Sequence, residues 1–117
     1  MNKFKDLLVW QKAIDLTEFV YLLTTQFPSE EKYGLTSQIR RCVVSIPSNI
    51  AEGAGRNSKN EFKHFLSIAL GSSYELETQL ILANRFNYIL KEKLEEGLAK
   101  LEEVQRMITG LQKSLSV

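Results

Sequence analysis

From Leu94 to Leu115 the apolar residues Leu94, Leu98, Leu101, Val104, Ile108, Leu111 and Leu115 recur every three or four positions, with mostly charged and polar residues between them. That spacing gathers them into one stripe along an α-helix, and a stripe of this length must be covered by a surface built the same way. The chain carries three more. Val9, Ala13, Leu16, Val20, Leu23 and Phe27 repeat at 4-3-4-3-4; Leu35, Ile39, Cys42 or Val43, Ile46, Ile50 and Ala54 follow; Phe62, Phe65, Leu66, Ala69, Ser73, Leu76, Leu80 and Ala83 extend a third helix to about Asn87. Strand alternation, internal repeats and low-complexity segments are absent from the sequence. Four stripes with short connections in 117 residues predict an all-α, up-down-up-down antiparallel four-helix bundle, one domain over 1–117.

The punctuation fits four helices. Phe27-Pro28 stops the first, and Ser29 with Glu30 and Glu31 reads as a short acidic turn closed by Gly34. Ser58-Lys59-Asn60-Glu61 matches the capping box that opens the third helix. Asn87-Tyr88 and the polar Lys91-Glu92-Lys93 form the break before the fourth. The second helix is unusual, because Pro47 lies in its interior and Gly53 and Gly55 lie at its exit. An interior proline removes one backbone hydrogen bond and costs about 3 kcal/mol, which predicts a kink there. Ser45, Asn49 and Glu52 are the polar side chains placed to hydrogen-bond backbone or a neighbouring helix around it.

Chemistry is sparsely supplied. His64 is the single histidine, so Glu61-x-x-His64 lacks the second half of a di-metal bundle site, and a nucleophile would lack a positioned base. Cys42 is the single cysteine and reads as a small buried hydrophobe in the core stripe. Gly53-Ala54-Gly55 follows no strand and has no nucleotide-loop spacing. The expectation is a protein without enzymatic activity, metal or cofactor. Asp6, Gln11, Lys12 and Asp15 interrupt any apolar leader, and no run approaches the roughly 20 residues of a membrane span, so a cytoplasmic protein is expected, with no membrane partner.

Two features point outward. Trp10, Ile14 and Tyr21 lie off the main stripe of the first helix, and Ile68, Ile81, Leu82 and Phe86 off that of the third; apolar girth on only some helices predicts subunit contact, with a thicker internal core as the alternative. Gly71-Ser72-Ser73 marks close approach by another helix. The other feature is basic: Arg40, Arg41, Arg56, Lys59 and Lys63, with His64, gather about the second and third helices, and such groups suit phosphate oxygens. Fifteen Lys and Arg against 14 Asp and Glu leave a net charge of +1, so any basic surface must be local.

Several separated motifs together resemble a family. Leu8-Val9-Trp10-Gln11-Lys12-Ala13, Phe27-Pro28-x-Glu30, Tyr33-Gly34-Leu35, Gln38-Ile39-Arg40-Arg41 and Ser45-Ile46-Pro47-Ser48-Asn49-Ile50-Ala51-Glu52-Gly53 are similar to the bacterial four-helix-bundle proteins encoded in intervening sequences of 23S ribosomal RNA genes. The accessory variability determinant of diversity-generating retroelements is a relative of these. The resemblance continues through Phe62, Phe65, Leu66, Ala69, Gly71-Ser72 and Glu75-Leu76-Glu77. It implies a homopentamer with a central channel, and in the retroelement relative a basic surface that binds nucleic acid and partners a reverse transcriptase. Carried onto this chain, the implied contacts are Arg40, Arg41, Arg56, Lys59 and Lys63. A protein-interaction scaffold without nucleic acid is the alternative reading.

Overall fold

Helix α1 (Leu8–Thr24) ends three residues before the last residue of its stripe, for a local reason. The hydroxyls of Thr24 and Thr25 donate to the carbonyls of Tyr21 and Leu22, and Phe27 N–H reaches Thr24 O in a tighter turn. Phe27 itself remains buried. The computed structural model describes residues 3–117; besides α1 it contains α2 (Leu35–Ala54), α3 (Lys59–Arg85) and α4 (Lys91–Leu115), with single 3-10 turns at Phe4–Asp6 and Ser29–Glu31. No strand occurs among the described residues.

The four stripes meet in one core. Leu16, Val20, Ile39, Val43, Ile46, Ile50, Leu66, Leu76, Leu80, Leu101, Val104 and Ile108 are essentially inaccessible, and Cys42 joins them, so both Cys42 and Val43 face inward. α1 packs on α2 and α4, and α3 on α2 and α4. The contacts run in opposite senses along each pair. Thr17 meets Val43 while Arg40 meets Thr24; Cys42 meets Ser72 while Gly53 meets Phe62; Glu77 meets Gln105 while Ser67 meets Gln112; Lys12 meets Glu103 while Phe19 meets Gly97.

Helix α2 continues through Pro47, which is itself buried. The carbonyl of Val43 loses its helical donor there, and the Thr17 hydroxyl from α1, bonded mainly to Ala13 O at 2.8 Å, lies 3.5 Å from it. Ser45 Oγ donates to Cys42 O at 2.6 Å, and Asn49 Nδ2 to Ser45 O at 2.8 Å. Two of the three predicted polar side chains therefore serve their own helix backbone, while Glu52 turns outward to Arg56.

Neither glycine at the exit ends the helix by a left-handed backbone, and only Gly53 acts by size, since a Cβ on Gly55 would lie no nearer than 3.6 Å to its neighbours. Gly55 has a φ of −82°, and no glycine among the described residues has a positive φ. A Cβ on Gly53 would lie 2.8 Å from Phe65 Cβ and 2.9 Å from Phe62 Cδ1, so α2 and α3 can close only over a bare backbone. Gly71 differs from the expected close approach. A Cβ there meets nothing within 4 Å, and α2 instead touches the adjoining Ser72 carbonyl and packs near buried Ser73.

The left-handed residue is Asn87, at φ 65°. It ends α3 two residues earlier than the stripe suggested, with Tyr88 N–H on Ala83 O and Asn87 N–H on Asn84 O, both 2.9 Å, the paired bonds of a Schellman stop. Lys91-Glu92-Lys93 then forms the first turn of α4 instead of a loop. All three are good helix formers, so their polarity marked exposure only.

Glu31 ties this end of the bundle together. Its Oε1 accepts the Leu35 N–H at 3.0 Å, capping α2, and its Oε2 accepts the Tyr88 hydroxyl at 2.8 Å from the α3–α4 connection. The Tyr88 ring lies 5.4 Å from Phe27 and 5.7 Å from Phe86. The Leu35 amide first, then the Tyr88 hydroxyl, hold the Glu31 carboxyl below its usual 4.5, and the carboxylate in turn raises the Tyr88 phenol. A carboxyl depressed in the fold stabilises fully above its ordinary value, and the contribution is lost as pH falls through the folded-state value. Glu31→Gln should therefore flatten the fall of melting temperature with pH below 4.5; an acid limb as steep as in the parent would count against the latch.

Candidate nucleic-acid interface

Where α2 exits and α3 begins, the antiparallel packing also brings the start of α1 and the end of α4. Ser58 opens α3 by accepting the Glu61 N–H at 3.1 Å, the first half of the expected capping box. The return bond from Glu61 is not formed among the described residues. Its carboxylate lies 3.8 Å from Arg56 Nη1 instead.

Arg56 is the most constrained base of this end. Nη2 donates to Glu52 Oε2 at 2.8 Å, and the guanidinium stacks 4.8 Å above the Phe65 ring, which His64 meets edge-on at 5.6 Å. Exposed ion pairs of this kind contribute little to stability, but they hold the planar fork in one place. Lys63 Nζ donates to Ser116 Oγ at 3.3 Å, joining α3 to the end of α4. Lys59 is exposed and makes no ion pair among the described residues. Beside these three the fold places Lys3, Lys5 and Lys113, all exposed. The sequence reading missed those lysines because they lie more than fifty residues from Arg56; only antiparallel stripes could have indicated them.

This end thus carries Lys3, Lys5, Arg56, Lys59, Lys63 and Lys113 against Asp6, Glu52 and Glu61, while the rest of the chain is slightly acidic, with nine Lys and Arg against 11 Asp and Glu. Arg40 and Arg41 belong elsewhere, since Arg41 lies about 20 Å along α2 from Ala54, where the helix ends just before Arg56. Arg40 is half-buried: Nε donates to Thr24 Oγ1 at 2.8 Å, Nη2 to Tyr21 O at 3.3 Å, and its guanidinium lies 4.7 Å over the Tyr21 ring. It caps the end of α1 and fixes that helix to α2. Arg41 donates to Ser37 Oγ at 3.2 Å and lines a polar α2–α3 cleft of about 390 Å³ with Gln38, Ser45 and Glu75. Cys42 forms the base of that cleft. Its thiol donates to Ser72 O at 3.0 Å, and burial, with the nearby Glu75 carboxylate, pushes it up to about 12, so it stays protonated at neutral pH.

The residues expected at subunit contacts also separate. Trp10 packs edge-on against Phe4 at 5.2 Å, Ile14 is half-buried, and Tyr21 lies beneath Arg40. Ile81 and Phe86 remain exposed, at 36% and 51%. Among the described residues no three His, Cys, Asp or Glu side chains gather as a metal site requires, and no helix is long and apolar enough to cross a membrane.

Fold and surface together define an all-α four-helix protein with one basic end. The chain belongs to the 23S rRNA-intervening sequence protein family, whose model matches residues 5–110. A solved relative, a protein of unknown function of the S23 ribosomal protein family from Bacteroides thetaiotaomicron VPI-5482, is 26% identical; the similarity covers 91% of this chain and 99% of that one, with a TM-score of 0.81. No curated protein sequence matches it.

Proposed function

We propose that this protein is a non-enzymatic, cytoplasmic, homo-oligomeric accessory factor that binds the phosphate backbone of RNA or DNA through its basic end. The observation that supports this is the clustering of Arg56, Lys59, Lys63 and the lysines at positions 3, 5 and 113 at one end of a nearly neutral chain. Arg56 supplies a fixed fork, and the lysines supply mobile point charges. One such end offers few phosphate contacts. A ring of parallel subunits, a pentamer on the family resemblance, would present several on one face and raise avidity without any new contact.

The test is fluorescence anisotropy with labelled single-stranded and duplex RNA across a salt series. Binding should weaken as salt rises, and the pair Lys59→Glu and Lys63→Glu should flatten the slope of log affinity against log salt by about 2 for this phosphate-driven mode. No binding at low salt, or an unchanged slope, would overturn the reading. A second reading, a scaffold for a protein partner such as a reverse transcriptase, draws on exposed apolar side chains including Tyr33, at 89%. Recovery of one stoichiometric, nuclease-resistant partner, with no RNA binding, would favour it.

A further inference from the structure

Phe65 stands half-buried near the start of α3, its Cβ set against the bare backbone of Gly53. The Arg56 guanidinium covers its ring at 4.8 Å, and the exposed His64 meets the same ring edge-on at 5.6 Å. Three planar groups are thus gathered at the exit of α2. A guanidinium lying on an aromatic ring turns its second face outward, and the Arg56 side chain keeps 43% of its surface open to solvent.

Arg56 adds its charge to the basic end, but it is poorly placed to pair with a phosphate itself. Nη2 is bonded to Glu52 at 2.8 Å and Nη1 lies 3.8 Å from Glu61, so both terminal nitrogens face a carboxylate. A phosphate brought there would meet two negative charges around one positive. A nucleobase meets no such penalty, because it is uncharged and flat, and guanidinium planes and aromatic rings are surfaces on which unpaired bases stack. The freer cations lie next to this stack. Lys59 and Lys63 are one turn apart on one side of α3; Lys59 makes no ion pair among the described residues, and Lys63 is held by a 3.3 Å bond to Ser116. Phe62 and Phe65 face α2 while Lys63 reaches the end of α4, so the stack and the lysines occupy different sides of the same first turns of α3.

Resting on the phosphate-binding reading above, we propose that this end takes single-stranded nucleic acid: one unpaired base stacks on the outward face of the Arg56 guanidinium, and Lys59 and Lys63 hold the phosphates beside it. A duplex offers the same phosphates but keeps its base faces covered by neighbouring pairs, so it gains only the charge contacts. Every base has a flat face. The site therefore selects for an unpaired strand rather than for a sequence.

The experiment is fluorescence anisotropy with the whole chain and three labelled RNAs of equal length: an oligouridylate, whose bases stack little on one another, the same ribose-phosphate backbone without bases, and a duplex. The variant is Arg56→Lys, which keeps the charge beside Glu52 and Glu61 but removes the plane. The parent should bind the oligouridylate about tenfold more tightly than the baseless strand. Arg56→Lys should lose most of that advantage, while its affinity for the duplex, its salt slope and its helical circular dichroism stay as in the parent. Equal binding of the oligouridylate and the baseless strand by the parent, a variant that keeps the full advantage, or a loss shared equally by all three probes would overturn the stacking while leaving phosphate binding standing. No binding of any probe at low salt would overturn both.

Discussion

Gly53→Ala is expected to destabilise the fold by about 2 kcal/mol, although alanine is the better helix former by about 1 kcal/mol. The new methyl would lie 2.8 Å from Phe65 Cβ and 2.9 Å from Phe62 Cδ1. A ring can swing aside, but a Cβ moves only with its backbone, so α3 must shift away from α2. The control is Gly110→Ala in α4, where a Cβ meets nothing within 4 Å. That change should instead stabilise by roughly 0.5–1 kcal/mol, because only the backbone propensity is altered. Urea unfolding followed by circular dichroism reads both, as midpoint shifts of opposite sign with unchanged slopes. A midpoint for Gly53→Ala at or above the parent's would show that the close α2–α3 approach is not needed.

Leu80→Ala should cost more, about 3 kcal/mol, because it adds a cavity to the lost burial of a wholly inaccessible side chain. The size of that cost has an internal check. A methyl on Gly97 would lie 3.6 Å from Leu80 Cδ1 and 3.2 Å from Phe19 Cε2, so it crowds the parent but points toward space that Leu80→Ala vacates. Gly97→Ala should therefore be less unfavourable in the Leu80→Ala background, by about 0.5–1 kcal/mol in a double-mutant cycle. Strict additivity would mean that Leu80 and Gly97 do not share one packing site.

Most of the fold was legible in the sequence because helical periodicity is a local property. The stripes Val9 to Phe27 and Leu101 to Ile108 could be read from spacing alone, and their residues are buried as read. The ends were less legible. α1 stops early because threonine hydroxyls take its last carbonyls, and α3 stops where Asn87 adopts a left-handed backbone, choices made among near-equal local options. The candidate site was legible only in part. Arg56, Lys59 and Lys63 are neighbours in sequence and stay neighbours in the fold, whereas Arg40 and Arg41 are close in sequence to the same cluster yet sit about 20 Å along the helix from the exit that carries it.

What the sequence by itself determined is the set of four amphipathic helices and the family they belong to, since an apolar repeat of three to four residues and the motifs around Pro47 are written along the chain. Only the tertiary structure decided what each polar or small residue is for. Arg40 ties α1 to α2, Glu31 joins two connections, and Gly53 matters for the room it leaves, whereas at Gly71 the room is empty. The physical reason is distance: helix formation depends on residues within a turn or two, but a charge, a cap or a missing methyl takes its effect from whatever residue the packing sets within a few ångströms of it.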